Sequence, residues 1–182
     1  MISREKAEEM VGKHLEQPKI GNINSSSLYE WLDDISILNF PEIAAKVLTE
    51  ESFFIVHPGF YYRLSSNQCS DYLKYLDKLR LRTHSDLEKS SVLVWTPLGY
   101  KQRTLKLLDL NRDSVILVPT EDFNISLRDD LLRMKQEEFY RILSHYIKFA
   151  SVVGEGRYGC VEGVREYFSR NNTQVIEDLT VV

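Results

Sequence analysis

From Glu51 onward, short apolar runs alternate with longer amphipathic stretches. That alternation limits the possible folds more than any other feature of the chain. The runs are FFIVH (53–57), VLVW (92–95), VILVP (115–119), FASVV (149–153) and QVI (174–176). They are rich in β-branched and aromatic side chains and apolar on both faces. A strand with one wet face alternates polar with apolar residues, whereas a strand covered on both faces does not. The runs therefore predict a parallel sheet with helices on both faces. The stretches between them have helical spacing: Tyr72, Leu76 and Leu79 in 71–82; Leu105 and Leu108 in 102–110; Leu131, Met134, Phe139, Ile142 and Leu143 in 127–145; Val161, Val164 and Phe168 in 161–170. Asn171 and Asn172 suit the end of the last helix, because asparagine tolerates a left-handed backbone. The expected class is α/β, three-layered, with a mostly parallel five- or six-stranded sheet and right-handed crossovers.

Residues 1–50 read differently. Ala7, Met10, Val11, His14 and Leu15 form one helical stripe, and 17–27 (QPKIGNINSSS) is turn-rich. Ser27 with Glu30 makes a capping box ahead of Leu28, Trp31, Leu32 and Ile35, and Pro41 fits the first turn of a third helix. We therefore expect a helical N-terminal extension over 1–50 and an α/β domain over 51–182. The extension holds five Lys/Arg against nine Asp/Glu, so the whole net charge of −4 lies there. Its apolar stripes suggest packing over a sheet face or contact with a second subunit in a homodimer.

Several function classes are poor fits to this composition. A balanced charge outside the extension offers no polycation for phosphates, so no nucleic-acid partner is expected. No apolar run approaches the ~20 residues of a membrane span, and MISREKAEEM has no apolar signal core. No membrane partner and a cytoplasmic location are the expectation. The two cysteines, Cys69 and Cys160, form no CxxC, and His14, His84 and His145 lack metal-ligand spacing. Neither a metal nor another cofactor is expected.

In a sheet of this kind ligands lie beyond the carboxyl ends of the strands. The informative positions are His57-Pro58-Gly59, Trp95-Thr96-Pro97, Pro119-Thr120-Glu121-Asp122, 154–160 and Glu177-Asp178. Gly154-Glu155-Gly156-Arg157-Tyr158-Gly159-Cys160-Val161 stands out, since it follows a strand and opens a helix. It fits the kinase glycine loop G-x-G-x-x-G-x-V, but 21 residues after Val161 leave no room for a kinase's catalytic parts. It also fits a dinucleotide fingerprint, with Glu177 and Asp178 about 20 residues on, although such a fingerprint ordinarily opens a fold rather than closing it. Nucleotide binding through the Gly154–Gly159 turn is therefore a third reading.

The segment from Gly154 to Asp178 resembles the carboxyl half of isochorismatase-like cysteine hydrolases. Cys160-Val161 falls at the nucleophile's place, and Gln174-Val175-Ile176-Glu177-Asp178 at the strand that follows. Phe53-Phe54-Ile55-Val56 looks like the family's first strand, and 125–132 like the segment after its third. The resemblance spans roughly residues 52–180. It implies hydrolysis of a small amide or carbonyl compound with Cys160 as nucleophile. The chain departs from the pattern at two catalytic places. His57 stands near the family's aspartate, and Val118-Pro119 near its lysine.

A cysteine at a helix start has its thiolate favoured by the helix dipole, and a nearby histidine can serve as its base. If the first and fourth strands are neighbours, His57 and Cys160 share one rim. The amides of Gly159 to Val161 would then form an oxyanion hole. The candidate catalytic residues are Cys160 and His57; the candidate substrate contacts are Tyr61, Tyr158, Gly159 and Glu121. The alternative is a non-catalytic module of the same fold, binding a small-molecule ligand or a partner protein.

Overall fold

The computed structural model describes residues 51–59, 66–97, 101–120, 137, 139–141, 143–145 and 147–181. The expected extension over 1–50 lies outside them. In chain order the elements are β1 (Ser52–Val56), α1 (Ser66–Leu87), β2 (Ser91–Pro97), α2 (Lys101–Leu108), β3 (Ile116–Thr120), β4 (Ala150–Glu155), α3 (Glu162–Tyr167) and β5 (Thr173–Val181). A further helical stretch occupies described residues between 137 and 145. The five strands form one sheet in the order β3-β2-β1-β4-β5, and every pairing is parallel. The α/β class and the parallel sheet are as the apolar runs predict.

The double-sided burial follows from the sequence periodicity. Phe53, Ile55, Val92, Val94, Leu117 and Val153 point to one face, where Tyr72, Tyr75, Leu76 and Leu79 of α1 and Leu105 and Leu108 of α2 cover them. Phe54, Val56, Leu93, Trp95, Val118 and Val152 point to the other, against Phe139, Leu143, Val161, Val164 and Phe168. All five residues of β1 are buried. Each large apolar side chain taken fully out of water contributes about 1.5–3 kcal/mol, so both faces of β1 act as core. On the second face, Trp95 donates its indole N–H to the Tyr140 hydroxyl, which satisfies its one polar atom.

Two local features shape the carboxyl end of β4. Gly154 has φ 131°, and a Cβ there would lie 2.0 Å from the Val56 carbonyl oxygen. Only glycine lets β4 press this closely on β1. Just before it the β4–β5 register jumps, from Val152 opposite Val175 to Gly154 opposite Thr180. The last helix differs from the expected 161–170. A π-helical turn over Arg157–Val161 leads into α3, which ends at Tyr167. A 3₁₀ turn over Ser169–Asn171 follows, and Asn172 takes the left-handed conformation (φ 50°) that terminates it.

Candidate functional site

β1 and β4 are neighbours in space although two strands, β2 and β3, separate them in sequence order. The chain leaving β1 goes to α1 on one face of the sheet, and the chain leaving β4 goes to α3 on the other. The carboxyl edge between two such diverging connections is the topological switch point, where open α/β sheets hold ligands. The candidate site is this rim.

His57 closes β1. Its backbone N–H donates to the Trp95 carbonyl at 3.0 Å, extending the ladder one residue past the strand. Its φ of 49° is left-handed, an uncommon conformation for a non-glycine residue that turns the chain into Pro58-Gly59. The imidazole Nε2 lies 2.9 Å from the Thr120 hydroxyl at the end of β3. β2 separates β1 from β3, so this contact spans two strand spacings of about 4.8 Å each. The ring therefore lies over the end of β2, on the side away from β4. Burial pushes the imidazole pKa down to about 4, so it is neutral at physiological pH.

Glu155 closes β4 and is buried. Its Oε1 accepts the Gly59 N–H at 2.6 Å and the Tyr72 hydroxyl of α1, also at 2.6 Å. One carboxylate thus joins the ends of both central strands to the helix above them. Burial, with the Glu155 charge beside them, holds the Tyr72 and Tyr75 phenols far above their ordinary pKa.

Gly156, left-handed at φ 75°, starts the turn that carries the glycine cluster. Its carbonyl accepts hydrogen bonds from the amides of Gly159 (3.0 Å) and Val161 (3.2 Å). Two of the three amides expected to form an oxyanion hole are therefore engaged within the turn. Cys160 is half-buried against the second apolar cluster. Burial pushes its thiol pKa up, and a hydrogen bond with its own backbone offsets this in part. Burial thus opposes the helix-start effect anticipated for the thiolate. A neutral imidazole turned towards β3 and a thiol held in its protonated form both act against a thiolate–imidazolium pair.

Tyr158 and Gly159 are exposed. The Arg157 guanidinium stands 5.5 Å from the Tyr158 ring and pairs with Glu177 of β5, on the far side of the turn from β1. Tyr61 and Glu121 lie outside the described residues. Cys69 falls within α1. Among the described residues no group of three or more His, Cys, Asp or Glu could hold a metal ion, and no helix is long and apolar enough to cross a membrane.

The strand order brings β1 and β4 together, as a shared rim for His57 and Cys160 requires. The residues that join elements at that rim are Glu155, Thr120 and Tyr72. Glu155 sits inside the glycine cluster, where an acid in an otherwise apolar strand end was the available signal. Thr120 had only its place at a strand terminus. Tyr72 read as part of an apolar helix face, which its ring is, while its hydroxyl serves the carboxylate.

Compared with family models, curated proteins and solved structures, the chain shows no match.

Proposed function

We propose that the chain is an α/β module that binds a small molecule at the carboxyl rim of its sheet, between the connections leaving β1 and β4. In this reading it is a diverged isochorismatase-like protein that keeps a wound sheet without a working cysteine centre. The observation that carries the proposal is the adjacency of β1 and β4 with their connections on opposite faces. Three further observations support binding over catalysis. The Cys160 thiol is held protonated by burial. The His57 ring is engaged with Thr120. The amides of Gly159 and Val161 are committed to Gly156.

A cysteine hydrolase acting on a small amide or carbonyl compound is the second reading. It is favoured by the position of Cys160 in the turn between β4 and α3. A thermal-shift panel of small amides, aromatic acids and nucleotides, NAD and ATP among them, separates the two when run beside an amide-hydrolysis assay. The proposal expects stabilisation by one chemical class, retained in Cys160→Ser and weakened in Gly156→Asp. Stabilisation confined to NAD or ATP assigns the ligand to the Gly154–Gly159 turn. Turnover that Cys160→Ser abolishes overturns the binding reading in favour of the hydrolase. A protein that no compound stabilises contradicts it as well.

A further inference from the structure

We draw no further inference here: the strongest candidate, the His57–Thr120 hydrogen-bonded pair over the carboxyl end of β2, belongs to the site already described, and nothing else among the described residues points to a ligand that it would take.

Discussion

The buried carboxylate of Glu155, at the end of β4, accepts the backbone N–H of Gly59, in the loop after β1, at 2.6 Å. The same oxygen accepts the Tyr72 hydroxyl, so one side chain ties together the loop after β1, the end of β4 and α1. Hydrogen bonds to a charged group contribute about 1.5–3 kcal/mol each, and removing one partner strands the others. Glu155→Gln is expected to cost about 2–4 kcal/mol in urea unfolding and Tyr72→Phe about 1.5–3 kcal/mol. The double variant should cost clearly less than the sum, with a coupling of at least ~0.5 kcal/mol. Additive losses would show that the two side chains act independently.

Glycine positions divide sharply. Gly154→Ala places a methyl 2.0 Å from the Val56 carbonyl at a φ of 131°, and should cost more than ~4 kcal/mol or prevent folding. Gly163 is exposed within α3, and a Cβ there meets nothing within 4 Å. Gly163→Ala should stabilise the protein by about 0.5–1 kcal/mol through helix propensity. Thermal unfolding of the two variants checks both signs.

The thiol of Cys160 should be sluggish. With its pKa raised by burial above the ordinary value of 9.0, its iodoacetamide alkylation rate should still be climbing at pH 9. The rate is read on the Cys160 peptide by mass spectrometry, apart from that of Cys69. A plateau below pH 8 would mean an activated thiolate and would restore the nucleophile reading.

His57 makes stability depend on pH. Its folded pKa of about 4 lies below the unfolded value of 6.5, so the unfolded chain binds the proton more readily in between. The contribution is complete above pH 6.5 and is lost as pH falls towards 4, at up to about 1 kcal/mol per pH unit. Asparagine tolerates the left-handed backbone at this position (φ 49°) and has no titrating ring. Between pH 7 and 5, urea midpoints should fall less for His57→Asn than for the wild type. Parallel pH profiles would contradict the assignment.

The fold was legible because burial on both faces leaves a direct trace. No polar residue interrupts FFIV or VLVW and only Ser151 interrupts FASVV, too few for the alternation of a half-wet strand, and all but Phe149 of these runs lies in a strand of the parallel sheet. Element ends were less legible. β5 runs from Thr173 to Val181, well beyond QVI, because its exposed Glu177 and Asp178 sit in the register jump and break the apolar pattern. The rim was the least legible part. Local sequence places His57 at a strand end and Cys160 at a helix start, but the direction of the imidazole depends on Thr120, 63 residues away. Likewise the helix start that would favour a thiolate can be read from spacing, while the desolvation that opposes it comes from apolar residues packed in from distant segments.

Amide chemical-shift mapping tests the central claim most directly. Wild-type protein labelled with ¹⁵N would be titrated with each compound that raises its melting temperature. The account predicts shifts concentrated at His57, Gly59 and residues 155–161, on the carboxyl edge of β1 and β4. Shifts centred instead on the amino edge, at Ser52, Ser91 and Ala150, would contradict it.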